Sequence, residues 1–372
     1  MRGGMNDHTR SARAVLVTDG GDGRGRDMIA AVRGLAGGGY TPVAAVATRS
    51  WRSAPSRYCA RRVQVLPVTD LSYADAIREE LRSGRYLTAI PASEDALVAL
   101  GVSVPHLLDK TMMGKAAEEA GLPVPPSRRF QDRRELAGSA HELEYPLVVK
   151  PTQRRYWAFR VDRPDQLQAG MADDGPVVVQ PYIDAPLRAV SGVVWQGRLV
   201  AAAHERWLRI WPRHCGLASA AETVPPDAEL EQRLLALLTG YEGIFCAQFV
   251  GPFLIDLNLR IHSSHPLAVA AGVNVVALYC DLLRGEAVTT VRALPGVFYR
   301  WLEGDVRHVA LAVRDGGLGL GQALQALRPR RGAAHSTESL RDPLPIAERI
   351  LSGVASRVGR RAVAQPARER SP

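Results

Sequence analysis

The stretch Phe253 to His265, FLIDLNLRIHSSH, sets an acid, an amide, a guanidinium and an imidazole at alternate positions: Asp256, Asn258, Arg260 and His262. Phe253, Ile255, Leu257, Leu259 and Ile261 run between them. Side chains of a strand alternate between its two faces, so the pattern predicts a strand with one apolar face and one face carrying the polar groups in file. Flanks this apolar place the polar file on a cleft rather than on an exposed edge. The basic residues carry a second chemical signal. Of 47 Lys and Arg residues only Lys110, Lys115 and Lys150 are lysines, and 44 are arginines. A chain that uses arginine wherever a generic cation serves keeps lysine where a compact ammonium is needed, as against a phosphate. Lys110 and Lys150 are the candidates; Lys115, on an exposed helix face, is read as incidental. His262 and His265 have zinc-like H-x-x-H spacing but no third ligand, and are read as cleft-wall residues.

The elements that must position these residues follow from size and pattern. At 372 residues, 46% hydrophobic and 23% charged, the chain is a multidomain globular protein. Its formal charge of +9 is scattered rather than gathered in a stripe, which argues against nucleic acid and suits phosphate-bearing small molecules. Cys59, Cys215, Cys246 and Cys280 lie far apart, so buried thiols in a reducing compartment are expected, not a zinc or disulfide framework. No secretory signal is seen, and the apolar run Pro266 to Leu283 is broken by Gly272, Asn274 and Asp281, so it reads as a buried helix. The expectation is a cytoplasmic protein with no membrane partner.

Along the chain, AVLVTD, TPVAAVAT, RRVQVLPV and YLTAIPAS alternate with helical patterns, predicting a small parallel sheet through about residue 105. Neither G-x-G-x-x-G nor G-x-x-x-x-G-K-[ST] occurs. From Leu108 the texture changes. LLDKTMMGKAAEEAGLPVPPS is a helix stopped at Gly121, and YPLVVKP is a strand ending in Lys150. PVVVQPYIDAP is another strand, broken by its prolines. LRAVSGVVWQGRLVAAAHERW forms two strands about a Gln196-Gly197 turn, and IFCAQFV joins FLIDLNLR through Gly251-Pro252. Beyond Asp281 helix and loop are expected.

This succession, Asp-Lys opening a helix, A-G-L-P-V-P closing it, then Y-P-L-V-V-K-P, V-V-V-Q-P-Y-I and I-D-L-N-L-R, resembles the ATP-grasp superfamily, most closely its carboxylate–amine ligases. The resemblance runs to about residue 285. It implies an α/β and α+β multidomain chain, an ATP-grasp fold behind an N-terminal Rossmann-like domain. The implied divisions are a tail at 1–12, the N-terminal domain at 13–106 and a small mobile subdomain at 107–182. A catalytic subdomain at 183–290, a helical and loop extension at 291–356 and a basic tail at 357–372 complete the chain. Through the resemblance Lys110 and Lys150 become the triphosphate lysines, and Gln180, Pro181, Tyr182 and Ile183, with Asp184 near the ribose, the segment lying against adenine. Asp256 and Asn258 match the paired Mg²⁺ ligands (Mn²⁺ being an alternative), and Arg260 the arginine facing the reacting carboxylate. Arg206 and Arg209 stand where such ligases place phosphate or substrate arginines, and Ser53 to Cys59 resembles their substrate-side loop.

Two departures qualify the resemblance. Gln248 stands where relatives place a metal-bridging glutamate, so an amide oxygen replaces a carboxylate. The loop after Lys150, PTQRRYWAFRV, lacks glycines, leaving Arg154 and Arg155 as candidate phosphate donors in place of backbone N–H groups. The implied function is an ATP-dependent ligase forming an amide from a small-molecule carboxylate and an amine, by default an amino acid or peptide, in a possible homodimer. The alternatives are a carboxylase or carbamoyl-phosphate-type enzyme acting on bicarbonate, and a nucleotide-binding module without turnover.

Overall fold

The computed structural model describes residues 12–50, 52–153, 158–167 and 175–352. The expected tails, apart from residue 12, and the loop residues Arg154 and Arg155 lie outside them.

Strands β1 (Ala14–Thr18), β2 (Thr41–Val46), β3 (Arg61–Gln64) and β4 (Ala89–Pro91) form a parallel sheet in the order β3-β2-β1-β4. The helix Arg26–Gly37 turns Met28, Ile29, Val32 and Leu35 inward. Gly34 on this helix lets it dock against the distant helices His265–Ala270 and Val275–Arg284. A Cβ there would lie 2.6 Å from Val276 Cγ2 and 2.7 Å from His265 Nε2, and Asn274 Nδ2 donates to Gly34 O at 2.7 Å.

The antiparallel strands β5 (Arg128–Phe130), β6 (Leu147–Pro151), β7 (Phe159–Val161) and β8 (Val177–Pro181) make a small sheet in the order β5-β8-β6-β7. Phe130, Leu147, Val149, Val161, Val177 and Val179 form its core. A larger sheet holds β9 (Leu187–Trp195), β10 (Arg198–Trp211), β11 (Leu217–Thr223), β12 (Gly243–Val250) and β13 (Phe253–Asn258). It also takes in β14 (Val291–Arg292), β15 (Phe298–Arg300) and β16 (Ala334–His335), so the segment expected as helix and loop contributes strands as well. The order is β13-β12-β9-β10-β11-β15-β16, with β14 beside β10. At the β9–β10 turn Gln196 and Gly197 have φ of 49° and 69°, the left-handed pair that matches the twist of a two-residue hairpin.

Local capping starts many of the helices. Ser93, Asp109, Asp132, Asp227 and Asn274 each accept a backbone N–H of the first turn that would otherwise lack a partner. The run Pro266 to Leu283 is two helices rather than one, divided at Gly272, whose φ is 91°. Among the described residues no helix is long and apolar enough to cross a membrane.

Candidate active site

Between the small and large sheets lies a cavity of about 690 Å³. Lys110, Lys150 and residues 180–184 line it from one side, and Gln248, Asp256, Asn258, Arg260 and His262 from the other.

Lys110 is aimed by its neighbour. Asp109 caps the helix Lys110–Glu119 by accepting from Thr111 N and Met112 N, which fixes where the first helical side chain points. The Lys110 ammonium then pairs with the Asp256 carboxylate. Lys150 sits on β6 and donates to the carbonyl of Ile255 at 3.1 Å. Burial, with the Lys110 charge acting the same way against the pull of Asp256, lowers the Lys150 ammonium to about 8. Lys115 is exposed, as its helix position implied.

The polar file on β13 survives, but not by simple alternation. Phe249 pairs with Leu254 and Gln248 with Asp256, so Ile255 is an extra, bulged residue. The bulge reverses the faces on its two sides: Leu254 and Leu257 both enter the core, while Asp256 and Asn258 both face the cavity. The same bulge presents the Ile255 carbonyl to Lys150. The strand ends at Asn258, and Arg260 and His262 reach the cavity from the following loop.

Hydrogen bonds fix the order along this file. Asn258 Nδ2 donates to Asp256 Oδ2 at 2.9 Å, and Arg260 donates from one terminal nitrogen to Asn258 Oδ1 at 3.3 Å. Its other terminal nitrogen donates to Asp27 Oδ2 at 2.6 Å and to its neighbour Ile261 O at 2.8 Å. The Arg260 side chain is only 2% exposed, and its Nε is buried without a hydrogen-bond partner among the described residues. Gln248, opposite Asp256, turns its amide nitrogen to His262 Nε2 at 3.4 Å.

At residues 180–184, Gln180 Nε2 donates to Ser127 Oγ at 2.9 Å, and Tyr182 N–H is taken by Pro146 O at 3.0 Å. The strand break therefore leaves fewer free backbone groups than its prolines suggested. Over Tyr182 folds the Pro212–Gly216 turn. His214 Nδ1 lies 3.1 Å from Tyr182 Oη, and the Arg160 guanidinium lies 4.1 Å from the ring centroid.

The other sequence candidates separate. Arg209 lines the cavity but is held by Asp305, donating from Nε at 2.6 Å and a terminal nitrogen at 3.1 Å. Arg206 is outside the cavity lining, on the surface and paired with Glu222. Ser53 to Cys59 does not line the cavity either. Ser56 Oγ and Arg57 N each donate to Asp342 at 2.8 Å, tying this loop to the C-terminal segment. His265 turns away to Asn274, so His262 and His265 do not converge, and among the described residues no three His, Cys, Asp or Glu side chains form a metal cluster. All four cysteines are free. Asp27, Trp207 and His214 are wall residues that the sequence reading passed over. Asp27 alone carried a signal, as an acid in the first helical turn after a glycine-rich loop.

No protein-family model and no curated protein sequence matches the chain. Solved structures do. An L-amino acid ligase from Bacillus licheniformis superposes with a TM-score of 0.55 over 73% of this chain and 74% of its own, at 17% identity. Biotin carboxylase from Campylobacter jejuni, in a complex with βγ-ATP, gives 0.57 over 78% and 75%, at 16%. N5-carboxyaminoimidazole synthetase from Staphylococcus aureus gives 0.55 over 81% and 85%, at 12%. At these identities the likeness is one of fold.

Proposed function

We propose that this chain, whose fold is that of the ATP-grasp superfamily, is an ATP-dependent ligase joining a small-molecule carboxylate to an amine. The observation that carries the reading is the meeting of Lys110 and Lys150 with Asp256, Asn258 and Arg260 around one cavity. In the proposed reaction a carboxylate oxygen attacks the terminal phosphorus of ATP and ADP leaves. The amine then attacks the acyl carbon, phosphate departs with the electron pair of the broken C–O bond, and an amide remains. Phosphate is a workable leaving group where oxide is not.

The residues divide this work by chemistry. Two part-buried ammonium groups offset polyphosphate charge better than they would in open water. Residues 180–184, under the Tyr182–His214 pair, form the wall for the adenine. Arg260, a guanidinium on the cavity wall, suits the anionic oxygens of the activated acid. Asp256 and Asn258 stand two positions apart on the cavity wall, their oxygens now accepting from Lys110, Asn258 Nδ2 and Arg260, and an ion that displaced these donors would find one carboxylate and one amide oxygen there. That set fits Mg²⁺, or Mn²⁺, drawing its remaining ligands from phosphate and water, and does not fit an ion held by protein alone. When bound, the ion would neutralise phosphate charge. Gln248, engaged with His262, is left out of this set. An amino acid or peptide is the acid–amine class that the ligase reading favours.

The test is ADP release over paired acids and amines with Mg²⁺, run beside Asp256→Ala. Turnover with at least one pair, lost in the variant, is the expected result. Undiminished turnover in the variant would remove the metal assignment. Bicarbonate-dependent ATP cleavage would move the reading to a carboxylase. Nucleotide binding without ADP release from any pair would make the chain a binding module.

A further inference from the structure

Behind the cavity wall runs a polar chain that the proposed roles do not use. Glu205 on β10 is fully buried, and it accepts from Trp207 Nε1 at 3.1 Å and from Ser264 Oγ at 2.9 and 3.1 Å. The buried acids Asp305 and Asp342 are each paired with arginine, whereas Glu205 is held by an indole and a hydroxyl. Ser264 Oγ also lies 3.0 Å from His262 Nδ1, and His262 Nε2 reaches the wall beside Gln248. Trp207 stacks on the imidazole, with centroids 5.8 Å apart and planes 14° from parallel, and so fixes its orientation.

This chain admits two hydrogen-bond arrangements. With Glu205 ionised, Ser264 gives its one hydroxyl proton to the carboxylate, His262 Nδ1–H donates to Ser264, and Nε2 is unprotonated and accepts from the Gln248 amide. With Glu205 protonated, the carboxyl donates to Ser264 and Ser264 donates to Nδ1, towards which the Ser264 backbone N–H also points at 3.4 Å. Nε2 then carries the proton, and the Gln248 amide turns its oxygen to accept it. The two states differ by one proton taken up at Nε2 and stored on Glu205.

We propose, resting on the ligase reading above, that His262, Ser264 and Glu205 form a proton relay that receives the proton lost by the attacking amine. As the C–N bond forms, the electrons of one amine N–H bond stay on nitrogen and its proton passes to His262 Nε2. The Nδ1 proton moves to Ser264, and the Ser264 proton moves to Glu205. His262 is the group that meets the amine; Ser264 and Glu205 are positioning residues acting through it. The electrostatics agree. Burial raises Glu205 to about 7, against its hydrogen bonds from Trp207 and Ser264, so it can both take and release a proton near neutrality. Burial, with Arg260 and Arg26 acting in the same sense against Asp27 and Asp256, lowers His262 to about 4, so the imidazole passes a proton on rather than keeping it. The other titratable groups facing Glu205 are the Cys246 thiol and the Tyr299 hydroxyl, and burial holds both protonated.

Infrared difference spectra of the substrate-free protein test the relay without any activity. A protonated-carboxyl band should titrate near pH 7, vanish in Glu205→Gln, and shift in Ser264→Ala. With any acid–amine pair that turns over, kcat should rise with pH through the same range. In Glu205→Gln that limb should disappear and kcat should drop on the order of 100-fold while the KM for ATP holds. A Glu205 that ionises in the ordinary carboxylate range, or a kcat profile unchanged in Glu205→Gln, overturns the relay. Absence of turnover with every pair instead removes the ligase reading and the amine as proton source, and the infrared titration then decides alone whether the relay exists.

Discussion

Lys150 gives the sharpest quantitative test of the proposed phosphate site. Burial and the neighbouring Lys110 lower its ammonium from 10.5 to about 8, while Asp256 resists the shift. Near pH 8 half of the free protein therefore carries a neutral Lys150. A bound polyphosphate favours the charged amine and should return its pKa towards the ordinary range. By linkage, ADP affinity should be nearly flat below about pH 7 and fall by up to about tenfold per pH unit above 8, roughly 1.4 kcal/mol each. Asp256→Asn removes the charge that resists the shift and leaves Lys110 repelling, so the fall should begin below pH 8. The sign for folding follows from the same shift. The unfolded lysine binds the extra proton between about 8 and 10.5, so the free fold gains stability as pH rises through that window. With only three lysines in the sequence, labelled lysine side chains give a spectrum simple enough to assign, with exposed Lys115 as the internal reference. Calorimetry of ADP binding across pH supplies the affinity. A Lys150 signal that titrates in the ordinary lysine range with and without ADP, together with flat affinity, would refute this reasoning.

Asp27→Ala strips the carboxylate from Arg260, whose side chain is 2% exposed against 20% for Asp27. The loss should be about 2–4 kcal/mol in thermal or denaturant unfolding, at or below the range for a fully buried pair because Asp27 is partly solvated; under 0.5 kcal/mol would contradict the assignment. Asp305→Ala leaves both Arg209 and Arg300 without their shared acid, and about 3–5 kcal/mol should be lost, with Asp305→Asn milder. Arg206→Ala should cost less than about 1 kcal/mol, because its partner Glu222 holds it at an exposed site. Turnover in that variant should match the parent, and a tenfold loss would restore Arg206 to the site.

Features set by neighbouring residues were open to sequence reasoning. Asp109 caps the helix that Lys110 begins, two φ-positive residues turn β9 into β10, and Lys150 ends a short apolar strand. Features set by partner strands or distant segments were not. The bulge at Ile255 exists only in the pairing of β13 with β12, so alternation predicted the cavity positions of Asp256 and Asn258 but misplaced Leu254 and Ile255. Asp27 meets Arg260 from 233 positions away, and Glu205 meets Ser264 from 59. β14 and β16 have two residues each, too few to show a period, so a segment read as helix and loop also extends the large sheet.

The claim beneath all of this is that a carboxylate is activated by taking phosphate from ATP. Once an acid substrate is found, that acid labelled with ¹⁸O in its carboxyl group should pass one labelled oxygen to the phosphate released with the amide. Unlabelled phosphate at full turnover would contradict it.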